Sequence, residues 1–83
     1  MPYAIIWSHS AEEELCKLEH GIAWRIYQKV GELSQNPFRN TIKLAGEPGY
    51  RLRVGDYGII FDVQHAKLHI LILKVGHRSS VYD

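Results

Sequence analysis

The sequence predicts an α+β domain, on three observations. Tyr3, Ile5 and Trp7 alternate with Ala4, Ile6 and Ser8 at a strand's period of two. Apolar residues from Ala11 to Leu33 recur at helical spacing. The second half then turns to strand-like segments, 50–54, 57–64 and 68–73, punctuated by glycine. A strand, a pair of helices and a run of strands is the α+β order.

The first strand is apolar on both faces, which predicts an interior position in a sheet. Ser10 reads as the N-cap of the first helix, with Glu13 at the capping-box position. Glu12, Glu13 and Glu14 crowd the first turn, where the helix dipole favours negative charge. Ala11, Leu15 and Leu18 form its buried stripe, and His20-Gly21 breaks it. A second helix runs from about Ile22 to Ser34, with Ile22, Ile26, Val30 and Leu33 on one side, and the pair reads as an antiparallel hairpin. Gly31 inside it costs roughly 1 kcal/mol relative to alanine, which suggests close packing at that point. Asn36-Pro37 ends the helix. A loop follows around a short strand, Thr41 to Leu44.

Gly55-Asp56 fits a two-residue II′ hairpin loop. That loop pairs Val54 with Tyr57, Arg53 with Gly58, Leu52 with Ile59 and Arg51 with Ile60. Leu52 and Ile59 then share one face, while Arg51 and Arg53 share the other, with Gly58 across from Arg53. The chain turns again near His65-Ala66. The last strand, Leu68 to Leu73, is apolar on both faces and belongs in the middle of the sheet, with Gly76 as its terminator. His77 to Asp83 form a tail over or beside the sheet.

With 83 residues the chain reads as one domain spanning 1–83. Its 46% hydrophobic and 23% charged content is that of a globular chain, not a disordered one. One cysteine, Cys16, makes no internal disulfide and favours the cytoplasm. The start, without a basic region and with only a short apolar run, does not read as a signal peptide, and no apolar run approaches the roughly 20 residues of a membrane span. Net charge is only +1, but residues 43 to 83 hold Lys43, Arg51, Arg53, Lys67, Lys74 and Arg78 against Glu47, Asp56, Asp62 and Asp83. A basic excess confined to the sheet half suits a local polyanion site.

The histidines, at 9, 20, 65, 69 and 77, match no zinc spacing. The sequence lacks a nucleophile elbow, a glycine-rich phosphate loop followed by a helix, and a glycosidase-like carboxylate pair. What remains is phosphate chemistry. Arg51 and Arg53 stand on a stiff hairpin, and the chain end adds His77, Arg78 and Tyr82. Arginine is too basic to take a proton, so these three read as electrostatic clamps. His77 is a candidate acid or base. Tyr82 is a candidate for base stacking or proton transfer, and Lys43 and Lys74 are candidates for holding the substrate.

Tyr-Arg-Leu-Arg-Val-Gly-Asp-Tyr, followed by apolar strands and then Val-Gly-His-Arg with Val-Tyr, resembles the RelE toxins of the RelE/ParE superfamily. The preceding strand, helical hairpin, Asn-Pro break and Lys-Leu-Ala-Gly agree, so the resemblance covers nearly the whole chain. It implies a helical hairpin on a mostly antiparallel sheet of four to five strands, a microbial ribonuclease-type fold. It also implies a toxin that cuts messenger RNA in the ribosomal A site with no metal or other cofactor. The substrate's 2′-hydroxyl would attack the adjacent phosphate, leaving a cyclic phosphate and a 5′-hydroxyl. The implied partners are a RelB-like antitoxin, the ribosome and mRNA, with operator DNA bound through the antitoxin. By position, the catalytic set falls on Arg51, Arg53, Arg78 and Tyr82. After Gly-Asp-Tyr the family has a catalytic arginine; here stands Gly58, which implies attenuated or absent cleavage. Relatives that inhibit DNA gyrase, and a non-catalytic antitoxin-binding protein, are the alternative readings.

Overall fold

The computed structural model describes residues 2–38, 41–46 and 48–81. The five strands are β1 (Ala4–Trp7), β2 (Thr41–Lys43), β3 (Tyr50–Val54), β4 (Tyr57–Gln64) and β5 (His69–His77). They form one sheet in the order β1-β5-β4-β3-β2. β1 runs parallel to β5 and every other neighbouring pair is antiparallel. Helices α1 (His9–Cys16) and α2 (His20–Glu32) connect β1 to the rest, and a single turn of helix, α3 (Arg78–Val81), follows β5.

Both long helices cover the same face of the sheet. Ala11 of α1, Ile26 and Val30 of α2, and Leu33 beyond it join one buried cluster with Leu52, Ile59, Phe61, Ile70, Ile72 and Val75. Each fully buried aliphatic or aromatic side chain here contributes roughly 1.5–3 kcal/mol relative to exposure. The periodic stripe Ile22, Ile26, Val30 and Leu33 is therefore the core-facing side of α2, with Ile22 partly buried and the other three buried.

The β3–β4 hairpin follows the register its turn dictates. Tyr50 pairs with Phe61, Arg51 with Ile60, Leu52 with Ile59, Arg53 with Gly58 and Val54 with Tyr57. Gly55 has φ +58° and Asp56 does not have a positive φ, the II′ pattern. Gly49, at φ +115°, has a backbone conformation that side chains disfavour, and a Cβ there would press on the Phe61 carbonyl oxygen at 3.1 Å.

Several expectations are corrected. β1 is an edge strand, not an interior one. Its outward residue Ile6 stays 39% exposed, so the apolar outer face of β1 reflects surface, not a second neighbour. The N-cap of α1 is Ser8, whose Oγ accepts the Ala11 N–H at 3.1 Å. Ser10 lies inside the helix, and Glu13 pairs with His9 at 2.7 Å instead of closing a capping box. The break between the helices falls at residues 17–19, so His20 and Gly21 open α2 instead of ending α1. β5 runs through Gly76 to His77, because Gly76 pairs with Gly58 as an ordinary rung.

Gly31 is not a close-packing device either, since a Cβ there would meet nothing within 4 Å. With helical backbone and open space, Gly31→Ala raises stability by about 0.5–1 kcal/mol through the unfolded chain's lost freedom. Urea titration of both proteins reads this as a higher midpoint at unchanged slope.

Candidate active site on the sheet face opposite the two long helices

Side chains alternate across a strand, so the core residues Leu52 and Ile59 place Arg51, Arg53, Gly58 and Ile60 on the face that α1 and α2 leave uncovered. On β5 the alternation is shifted. Ile60 pairs with Lys74 and Phe61 with Ile72, which leaves Leu73 as an extra residue, a β-bulge. Beyond the bulge Val75 returns to the core, so Lys74 and Gly76 face outward. The result is two cross-strand rows on the open face. One runs Ile42, Arg51, Ile60, Lys74. The next runs Arg53, Gly58, Gly76.

Ile60 is only 9% exposed, although it lies outside the helix-covered cluster. Its neighbours across the strands are Arg51 and Lys74, whose aliphatic stems can cover apolar surface while their charges reach water. Arg53 is exposed and Gly58 buried. Arg53, Lys74 and Arg78 make no ion pair among the described residues. Asp62, two residues beyond Ile60 on β4, is the carboxylate that follows this patch on the same face.

Arg78 is held at the hairpin tip. Its backbone N–H donates to the Asp56 carbonyl at 2.9 Å and its Nη1 donates to the Gly55 carbonyl at 3.4 Å. That position is two strands across and two residues along from Arg53, roughly 12 Å between Cα atoms at ordinary sheet spacings. Arg51, Arg53 and Lys74 thus share one side of the sheet, and Arg78 stands at the hairpin tip beside them, an arrangement suited to a phosphodiester and its developing charge.

Two expected members lie elsewhere. Lys43 pairs with Tyr50 on the helix-covered side, its Nζ 5.3 Å from the Tyr50 ring centre. His77 pairs with Tyr57, also on that side, with ring centres 5.6 Å apart and edge-on. Its Nδ1 is 2.9 Å from the Ser79 hydroxyl. Tyr82 lies outside the described residues. The contribution that sequence reading missed is Ile60 as an apolar floor between cations. Its only signal was the hairpin register extended one strand further.

The fold and this face together define the class: the chain belongs to the ParE toxin family of type II toxin-antitoxin systems, whose family model matches residues 5–82. Among particular relatives, the chain is 28% identical over 85 residues to Toxin RelG of Mycobacterium tuberculosis, covering 99% of this chain and 98% of that one. It is similar to the toxin-antitoxin complex RelBE2 of the same organism, at TM-score 0.86 and 27% identity over 94% of this chain and all of that one. The isolated RelE toxin of E. coli superposes at TM-score 0.81 with 26% identity, covering 96% and 90% of the two chains. Among the described residues no helix is long and apolar enough to cross a membrane.

Proposed function

We propose that this toxin is an endoribonuclease that cuts messenger RNA on the ribosome in the cytoplasm, with low intrinsic activity. The observation that carries the reading is the grouping of Arg51, Arg53 and Lys74 on the sheet face opposite α1 and α2, around the buried Ile60, with Arg78 at the adjacent hairpin tip. In the reaction the 2′-oxygen attacks phosphorus, its proton leaves, the bond to the 5′-oxygen breaks, and that oxygen takes up a proton. Charge builds on the non-bridging oxygens, and guanidinium groups stabilise it by charge-assisted hydrogen bonds. Arg53 and Arg78 are the clamps, and Lys74 holds the strand alongside. On this face the described residues include Asp62 and Lys74 as ionisable neighbours of the arginines, and the assignment of Tyr82 to proton transfer rests on family resemblance. Gly58 in place of the family arginine removes a donor beside Arg53.

A RelB-like antitoxin is the partner we assign, by similarity to the RelBE2 complex. Exposed Trp24 and Tyr27 on α2, 55% and 53% accessible, leave apolar surface for it to cover. Operator DNA would be bound through that antitoxin.

The test is primer extension on translated messages after induction, with supercoiling of a reporter plasmid measured in the same cells. The reading expects cuts confined to translated regions, reduced about 10²–10³-fold in Arg53→Ala as for loss of one transition-state donor. Gyrase inhibition is the second reading, favoured by the family's ParE name and by Gly58. It expects altered supercoiling, intact messages and no dependence on Arg53.

A further inference from the structure

His77 was the candidate acid or base, and the bulge at Leu73 turns it away from the arginine face. We infer that His77 is a positioning residue for Arg78, acting as a side-chain cap on the chain's turn from β5 into α3. The inference rests on the ribonuclease reading only for its activity readout.

Arg78 is the residue at which an extended strand becomes a helical turn. The residues on either side of it are joined to each other across it. The Ser79 N–H donates to His77 Nδ1 at 3.3 Å, and the Ser79 hydroxyl lies 2.9 Å from the same nitrogen. The ring is itself braced edge-on against Tyr57 of β4. A cap in which Nδ1 accepts the backbone proton requires the ring's own proton on Nε2. Arg78 is then fixed from the other side by the Asp56 and Gly55 carbonyls. Strand, hairpin tip and C-terminal turn meet at one residue, and two of the three ties pass through Arg78 itself. The third is the imidazole.

The bond formed is that of an Asx-type cap, in which a side-chain acceptor takes the N–H two residues on. Asparagine can make it and cannot shuttle protons as imidazole does. An acid-base role and a positioning role therefore predict different variants to be active. A misplacement of about 1 Å can cost on the order of 10²-fold in rate, so His77→Ala is expected to lower cleavage by up to about that factor. His77→Asn is expected to stay within a few-fold of the parent. In an Arg78→Ala background, His77→Ala adds no further loss, since residues acting as one unit are not additive.

The experiment measures ribosome-dependent cleavage for these four variants and records NMR spectra of the purified chains. The structural readout is the Ser79 amide proton, shifted by its bond to Nδ1 in the parent and in His77→Asn, and released in His77→Ala. An Nε2-protonated His77 tautomer supports the inference, and an Nδ1-protonated one overturns it. Equal loss in His77→Asn and His77→Ala, or full activity in His77→Ala, overturns it as well. If the parent cuts no message, the ribonuclease reading fails, and the amide shift and tautomer still decide whether His77 caps the turn.

Discussion

Phe61→Ala is expected to lower folding stability by about 3–5 kcal/mol, the range for truncating a buried aromatic. Phe61 is fully buried. It sits in the middle of β4, stacked on Tyr50 with ring centres 5.6 Å apart, and faces Ile72 across the bulged strand. Its backbone is equally committed, because its carbonyl oxygen faces the glycine at position 49. The two neighbouring strands and the helical cluster all meet at this ring, so the cavity has little freedom to collapse. Small domains have only about 5–15 kcal/mol in total, and an 83-residue chain has little surplus surface to bury. Urea denaturation followed by tryptophan fluorescence should show a midpoint reduced by a third or more. Phe61→Leu, which keeps most of the volume, should lose far less. Equal losses for the two would mean that ring stacking on Tyr50, and not the cavity, sets the cost.

The hairpin that carries the arginines was legible because two independent rules agree on it. Gly55 selects the turn, and alternation of Leu52 against Arg51 and Arg53 selects the faces. A one-residue slip would put the arginines in the core, so the register has a single low-energy solution. The core side of α2 was legible for the same reason, since only one rotation buries Ile26, Val30 and Leu33 together. β1 was misread because apolar character on both faces does not distinguish a strand with two neighbours from an edge strand with Ile6 at the surface. The bulge had no signature at all. Leu73 looks like one more apolar residue in an apolar strand, yet it reverses the facing of everything after it. Counted without it, Lys74 falls in the core and His77 beside the arginines. Counted with it, Lys74 joins the site and His77 leaves for the Tyr57 side. Lys43 was grouped with the site by charge alone. Strand pairing with Tyr50 sets it on the other face.

Gly58→Arg is expected to raise ribosome-dependent cleavage by about 10²–10³-fold, the amount one preorganised donor contributes to a developing oxyanion. The register puts position 58 between Arg53 of β3 and Gly76 of β5, on the sheet face opposite α1 and α2. A guanidinium there lies in the same row as Arg53 and one row from Arg51 and Lys74, so it adds charge where the phosphate's charge grows. Space is the obstacle, because Gly58 is buried and α3 packs against both β4 and β5. Gly76 directly across offers no side chain to obstruct an arginine's exit to solvent. The core face of Leu52 and Ile59 is untouched, and strand propensity improves because glycine is the weakest strand former. Like-charge repulsion from Arg53, directly across the strands, works against folding by about 0.2–1 kcal/mol. The antitoxin-bound variant should therefore fold, and its released toxin should arrest growth faster than the parent. Cleavage sites mapped on a translated message give the measurement, with Arg78→Ala in the Gly58→Arg background expected to abolish the gain. A Gly58→Arg protein that folds, binds ribosomes and cuts no more than the parent would show that the missing cation does not limit this toxin. The weight would then move to gyrase as its target.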